Sequence, residues 1–130
     1  MKNEPASFPD EILQFIRTHN LTGVRGGSAP RTFLKIWVVE VEGRLFARSW
    51  SLSKRSWFTA FLEEGVGALK CGDAEVEVLG RKVENEPELQ EKINTAYLSK
   101  YTSAGNRQYA IDIARPQHLE ATMEFIFKNG

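Results

Sequence analysis

Apolar side chains recur at the spacing of a helical face in three parts of the chain. Segments 7–20 and 85–101 both begin with polar residues and an early proline, as helices commonly do. A third helix is predicted to open at Ser53, the expected cap, and to bury Trp57 and Phe58. The pattern therefore predicts about three helices, with residues 1–20 forming an N-terminal helical brace.

Alternating or β-branched patterns predict six or seven strands. The clearest is Leu34 to Val41, which the turn Glu42-Gly43 joins to a return strand from Arg44 to Trp50. Segment 21–30 contains three glycines and is expected to be a flexible loop. The remaining strands are predicted at 67–71, 74–83, 108–114 and 121–128, although a short helix from Gln117 is an alternative for the last. This pattern indicates an α+β fold, a small antiparallel barrel decorated by helices.

Composition narrows the classes of partner. A chain of 130 residues and 14.7 kDa fits one domain, residues 1–130. Its 17 basic and 17 acidic residues cancel, so no overall field favours nucleic acid. No apolar run reaches the roughly 18 residues of a membrane span, and no secretory signal precedes the polar start. With a single cysteine, Cys71, a disulfide within the chain is excluded, and we expect a cytoplasmic protein.

Cations and hydroxyls gather between the return strand and the third helix. Ser51, Lys54 and Arg55 precede or open the predicted helix. Cations at that end oppose the helix dipole by a few tenths of a kcal/mol each, and an anionic ligand would offset this cost. The alternative is that both cationic side chains extend into water, where salt screens them. We interpret the segment as a candidate phosphate site.

Arg48 is the second candidate for binding an anion. On the return strand it shares one face with Phe46 and Trp50. An arginine between aromatic side chains either covers apolar surface with its stem or binds an anion. Arg25 and Arg31 flank a glycine-rich segment and also suit a phosphate or carboxylate, although neither the P-loop nor the Rossmann spacing is present.

No residue set forms a catalytic constellation of a specific kind. His19 and His118 lack partners at metal-ligand spacing, and the serines lack a nucleophile-elbow motif. Cys71, at the end of a predicted strand, is expected to be a passive thiol. Residue chemistry alone therefore predicts binding of an anion and does not specify a reaction.

The order of these parts resembles the split β-barrel superfamily. An Arg-Thr pair precedes an apolar strand and a glycine turn, and a strand with a small polar end leads to a helix that opens on basic residues with Trp-Phe. A strand pair, a Glu-rich helix and a final Tyr-x-Ile strand follow. The chain is most similar to an uncharacterised bacterial family within or beside the deazaflavin-dependent nitroreductases, which are related to pyridoxamine-phosphate oxidases. The resemblance covers roughly Thr22 to Ala114.

This resemblance implies a dimeric barrel that binds flavin mononucleotide (FMN) or a deazaflavin through the cofactor's phosphate. The sequence departs from the nitroreductases after the polar strand end, where Trp50 to Ser53 replace a glycine pair. Carried over by position, the expected cofactor-binding residues are Arg31, Arg48, Ser49, Trp50, Ser51, Lys54, Arg55 and Trp57.

Two functions follow from the resemblance. The first is a flavin- or deazaflavin-dependent oxidoreductase in which the cofactor carries the hydride chemistry. The alternative is a non-catalytic barrel, either a small-ligand carrier or a structural dimer. Both predict a homodimer, because a half-open barrel of this size exposes strand edges and apolar faces that a second subunit covers.

Overall fold

The computed structural model describes residues 7–29, 32–50 and 56–128, which form four α-helices, one 3₁₀ helix and seven strands. The helices are α1 (Asp10–Thr18), α2 (Trp57–Glu64), α3 (Pro87–Lys100) and α4 (Ala104–Ile113), and the 3₁₀ helix is Pro116–Ala121. The strands are β1 (Thr22–Gly26), β2 (Leu34–Ile36), β3 (Val39–Val41), β4 (Arg44–Arg48), β5 (Val66–Cys71), β6 (Ala74–Lys82) and β7 (Thr122–Phe127).

All seven strands join one antiparallel sheet in the order β2-β1-β5-β6-β7-β4-β3. Its two edge strands, β2 and β3, are separated in sequence by Trp37 and Val38 alone. Three residue steps span at most about 10 Å, so the opposite edges must lie close together. The sheet is therefore curled into a half-barrel, which confirms the predicted α+β split-barrel type of fold.

Each face of the curled sheet buries its own apolar cluster. The inner cluster joins α1 and α2 to the sheet and includes Ile16, Phe61 and Phe125. The outer cluster lies beneath α3 and α4 and includes Phe46 and Tyr97. Both clusters contain fully buried side chains, so the helices on both faces are integral to the fold.

The aromatic ring of Phe61 explains why α2 lies flush on the sheet. A Cβ atom placed at Gly67 or Gly80 would overlap this ring, and one at Gly26 would meet the carbonyl oxygen of Trp57 at 2.5 Å. The three glycines therefore remove the side chains that would hold the helix away from β1, β5 and β6.

The predicted strand from Leu34 to Val41 is wrong as a single element. The structure divides it into β2 and β3, which occupy opposite edges of the sheet. Between them Val38 is fully buried, and the ring of Trp37 stacks on Tyr101 with centroids 3.7 Å apart. These two apolar residues anchor the crossing of the chain between the edges, whereas sequence reasoning treated them as strand interior.

The predicted strand from Gln108 to Ala114 is also wrong, because this segment belongs to α4. Ala110 and Ile113 are buried three residues apart, whereas Tyr109 and Ile111 are exposed. The alternation of apolar residues that predicted a strand therefore does not correspond to a buried face. The Tyr-x-Ile strand is accordingly absent at this position.

Three further boundaries differ from prediction. Part of the expected glycine-rich loop is β1, a strand with a partner on each side. The C-terminal segment combines both alternatives, since a 3₁₀ helix precedes β7.

The cap of α2 is Ser56 rather than Ser53, and its Oγ accepts a hydrogen bond from the Thr59 amide at 3.0 Å. Lys54 and Arg55 therefore precede the capping residue in sequence, and they lie outside the described residues. The prediction that these two cations occupy the first turn of the helix is wrong.

Other predicted elements are confirmed. The N-terminal helix, the Glu-rich helix and the β5–β6 hairpin lie where their patterns indicate. At the turn after β3, Glu42 and Gly43 both have positive φ, 54° and 82°, the backbone that a two-residue type I′ hairpin turn requires.

Candidate functional site

A cleft opens where β4 ends and α2 begins. Its volume is about 400 Å³, within the range of small-molecule sites. We call it the indole cleft, because three tryptophans line it. Its lining residues are Leu21, Leu34, Lys35, Ile36, Trp37, Arg48, Ser49, Trp50, Ser56, Trp57 and Ile113.

All four predicted site residues that the structure describes reach this cleft. They are Arg48, Ser49, Trp50 and Trp57. The other four, Arg31, Ser51, Lys54 and Arg55, lie outside the described residues. The fold therefore gathers residues that the resemblance connected by position alone.

Arg48 lies at the base of the cleft and is 2% exposed. Its five N–H groups all donate hydrogen bonds. Nε donates to Thr122 Oγ1 at 3.0 Å, and Nη1 donates to Asn94 Oδ1 and to the carbonyl of Ile113. Nη2 donates to Oε1 of Gln90 at 2.7 Å and to its carbonyl oxygen at 3.3 Å. These contacts fix the guanidinium in one orientation.

Each of these hydrogen-bond acceptors is uncharged. Within 4 Å of the Arg48 guanidinium there is no Asp or Glu among residues 7–29, 32–50 and 56–128. Burial lowers the pKa of Arg48 from its ordinary value, while Tyr97 opposes that shift. An arginine nevertheless stays protonated in proteins, so the base of the cleft carries a buried positive charge without a described counter-ion.

The aromatic side chains of the cleft differ in exposure. Trp57 is buried, and its ring packs against Phe58, Phe61 and Phe125. Trp50, by contrast, is 52% exposed and forms the rim, where its ring meets His118 edge-on with centroids 5.0 Å apart. The indole of Trp57 therefore belongs to the core, whereas the indole of Trp50 remains accessible to a ligand or a partner.

The two serines of the cleft are already hydrogen-bonded. The Ser49 amide donates to the carbonyl of Ala121 at 3.0 Å. Ser56 Oγ caps α2 and donates to Thr59 Oγ1 at 3.0 Å. Lys35 makes neither an ion pair nor a hydrogen bond with any described residue, so its ammonium group is available to a ligand.

Sequence reasoning missed the residues of α3 that hold Arg48. Gln90 and Asn94 accept from its guanidinium, and the Tyr97 hydroxyl accepts from its backbone amide at 2.9 Å. The same hydroxyl donates to the carbonyl of Trp37 at 3.1 Å. Their spacing of four and three residues places them on one helical face, and polar residues beside buried Ile93 were the available signal.

Cys71 is a buried thiol, and the described residues contain no cluster of metal ligands. Cys71 is buried at the end of β5, and burial raises the pKa of its thiol to about 11, so the thiol is protonated at neutral pH. Within the described part of the chain, no three His, Cys, Asp or Glu side chains cluster as metal ligands. No described helix is both long and apolar enough to cross a membrane.

A family model for an uncharacterised protein conserved in bacteria, DUF2255, matches residues 17–125, most of the chain. The chain belongs to the DUF2255 family. This match confirms the prediction of an uncharacterised bacterial family and includes every described residue that lines the indole cleft. The similarity to nitroreductases stays a prediction.

One solved structure resembles this DUF2255 chain over almost its full length. It is the conserved hypothetical protein Rv2991 from Mycobacterium tuberculosis, with 12% sequence identity and a TM-score of 0.59. The match covers 98% of this chain and 83% of that one. At this identity the similarity supports the fold alone. No curated protein matches the DUF2255 chain.

Proposed function

We propose that the indole cleft binds a flat anionic ligand, FMN or a deazaflavin cofactor, and that the protein is a nitroreductase-like oxidoreductase. The observation that carries this proposal is the buried charge of Arg48, which no described carboxylate balances. A buried charge is costly unless an opposite charge compensates it, so an anion entering the cleft gains from the field at its base.

The residues of the cleft fit such a cofactor. Trp57 and Ile113 offer apolar contact to a flat ring, and Lys35 offers a cation at the edge. Arg48 acts through its charge, because its five N–H groups are already donated to the protein. We propose that Lys54 and Arg55, which the sequence predicts to bind the cofactor, donate the direct hydrogen bonds to its phosphate.

In this proposal the cofactor and the protein chain have separate roles in the reaction. When bound, a flavin or deazaflavin supplies hydride transfer. The chain supplies orientation through the fixed Arg48 charge and excludes water with the indole of Trp57. No acid–base pair of protein side chains is required for this role.

A titration with FMN and with a deazaflavin cofactor tests the proposal, monitored by tryptophan fluorescence. Saturable binding is expected, and the double variant Lys54→Gln/Arg55→Gln should weaken it at least tenfold through loss of charge-assisted hydrogen bonds. Lys92→Gln is the control, since Lys92 lies on α3 and pairs with Glu42 at 2.9 Å. Failure of both cofactors to bind at millimolar concentration would contradict the proposal.

The second candidate function is a non-catalytic dimer, and the apolar rim of the same cleft supports a dimer. Leu21, Leu34 and Trp50 line the cleft and are all about half exposed, and exposed Tyr109 contacts Trp50 edge-on with ring centroids 6.4 Å apart. Contiguous exposed apolar side chains are typical of an interface. The rim therefore supports a homodimer in either function, and the cofactor titration separates the two.

A further inference from the structure

A second cavity of the described structure lies beside strands β1, β2 and β5. Its volume is about 850 Å³. Gly23, Lys35 and Lys70 line it, on the three neighbouring strands β1, β2 and β5. Val24 and Leu69, which alternate with these residues, belong to the inner cluster, so Gly23 and Lys70 must face outward. We call this space the lysine cavity. It shares Leu21 and Lys35 with the indole cleft.

Strand register brings the two lysines to opposite sides of one glycine. Gly23 pairs with Lys35 on β2 and with Lys70 on β5. The two lysines are thus separated by two strand spacings, roughly 10 Å between backbones. Gly23 itself has no side chain, and the Cβ atoms of Phe33 and Lys70 lie over it, 3.2 and 3.1 Å from the position that a Cβ atom of residue 23 would take. Lys35 and Lys70 both line the same cavity, so their long side chains can contact one anion within it.

These cations lack protein partners. Among the described residues, four lysines and arginines make neither an ion pair nor a hydrogen bond through the side chain, and they are Arg25, Lys35, Lys70 and Arg107. Three of the four lie on β1, β2 and β5 at this surface. Glu75 is the cross-strand neighbour of Lys70 on its far side, yet the two are more than 4 Å apart. Three cations without an ion-pair partner therefore lie at this surface, with the carboxylate of Glu75 on the neighbouring strand.

Aromatic rings complete the walls. The ring of Phe33 lies between two cations, 4.7 Å from Arg25 Cζ and 6.0 Å from Lys70 Nζ. On another side, Phe15 stacks on His19 with centroids 3.9 Å apart. The cavity thus combines flat apolar surface with two lysine side chains, the chemistry that suits an aromatic anion.

We propose that the lysine cavity is a binding site for a small aromatic anion, with its phosphate or carboxylate group held between Lys35 and Lys70. The flat ring of the ligand packs on Phe33 and Phe15. This site shares Lys35 with the indole cleft, but it is tested separately from the proposed function through Lys70, which does not line that cleft.

The test is a titration of ¹⁵N-labelled protein with phenyl phosphate and, separately, with benzoate, observed at the Gly23 and Gly72 amides. Saturable shifts with either probe are expected, and the stronger probe identifies the acid group that the site prefers. Inorganic phosphate lacks the aromatic ring and benzyl alcohol lacks the acid group, so each should bind at least tenfold more weakly. Affinity should also fall as salt rises, because exposed charges are screened.

Substitution of Lys70 decides whether these shifts arise from binding at the proposed site. Lys70→Gln should weaken binding about tenfold, as loss of one charge-assisted contact does. Lys92→Gln, on α3, should leave it unchanged. Because Lys70 is exposed, its variant is expected to fold, which circular dichroism verifies. The proposal is overturned if neither probe gives saturable shifts at millimolar concentration, or if Lys70→Gln binds the probes as tightly as the unmodified protein does.

Discussion

Arg48 is the residue whose role changes most between sequence and structure. The sequence offers two roles, a surface stem or an anion ligand. The structure shows a third, in which the guanidinium is buried and donates to five oxygen acceptors from α3, α4 and β7. It therefore links β4 to the helices of the outer cluster while it holds a positive charge at the base of the indole cleft.

Replacing Arg48 should destabilise the fold strongly. The variant Arg48→Met removes the charged donor from three side-chain acceptors, those of Gln90, Asn94 and Thr122. Buried acceptors without partners are costly. We expect a loss of about 3 kcal/mol or more in the free energy of unfolding, measured from urea denaturation. Arg107→Met is the matched control, because exposed Arg107 has no described partner, and a change within about 0.5 kcal/mol is expected. Equal losses in both variants would contradict the assigned role of Arg48.

At the scale of elements, α2 and the cross-strand ion pairs depend on particular side chains. Phe61 anchors α2 against glycines of the sheet. On the opposite face, Glu124 of β7 accepts from Arg44 of β4 and from Arg81 of β6, with the shortest contacts at 2.9 and 2.8 Å. A carboxylate between two guanidinium groups therefore joins three adjacent strands.

Gly80 and Gly105 should respond to alanine in opposite directions. In Gly80→Ala the new methyl group overlaps the Phe61 ring, so we expect a loss of about 1–3 kcal/mol. In Gly105→Ala, within α4, nothing lies within 4 Å of the added Cβ atom and helix propensity improves. A gain of up to about 1 kcal/mol is therefore expected. Thermal unfolding of both variants measures the difference, and a stable Gly80→Ala protein would disprove the close approach of Phe61.

Glu124 should make stability depend on acid pH. Burial alone would raise the pKa of its carboxyl, but hydrogen bonds from Arg44 and Arg81 outweigh burial and hold the pKa below its usual value. A lowered pKa in the folded state contributes stability at neutral pH, which is lost as pH falls through that pKa.

The variant Glu124→Gln should therefore lose about 2–4 kcal/mol at pH 7, because two guanidinium groups lose their counter-ion. Its further loss between pH 6 and pH 3 should be smaller than that of the unmodified protein. Urea midpoints across this range measure both effects. Glu91→Gln, at an exposed residue of α3, is the control and should change stability by no more than about 0.5 kcal/mol. An unchanged acid dependence in Glu124→Gln would contradict this account.

At the scale of the whole molecule, the curled sheet determines which surfaces meet. Closure through Trp37 and Val38 brings β2 near the end of β4, and the indole cleft forms between them. The same closure places exposed Leu34 of β2 beside Trp50. Cleft and rim are therefore products of one topological feature.

Light scattering tests the proposed dimer. We expect a mass twice the 14.7 kDa of one chain. Trp50→Glu should dissociate it, because a charge in an apolar interface is costly to desolvate. Leu98→Glu, which alters an exposed leucine of α3 outside the rim, should remain dimeric. A monomeric unmodified protein would rule out the dimer, and a dimer that persists in Trp50→Glu would exclude the rim as its interface.

By itself the sequence determined the class of fold, most helix and hairpin positions, and the region of the candidate site. These features depend on local periodicity, caps and turn residues, which act over a few neighbouring positions. Only the tertiary structure decided that residues 34–41 cross between sheet edges and that 108–113 are helical, because burial by distant elements overrides local alternation. It alone also decided that Arg48 meets Gln90, Asn94 and Thr122, since contacts across 42 to 74 residues leave no local pattern.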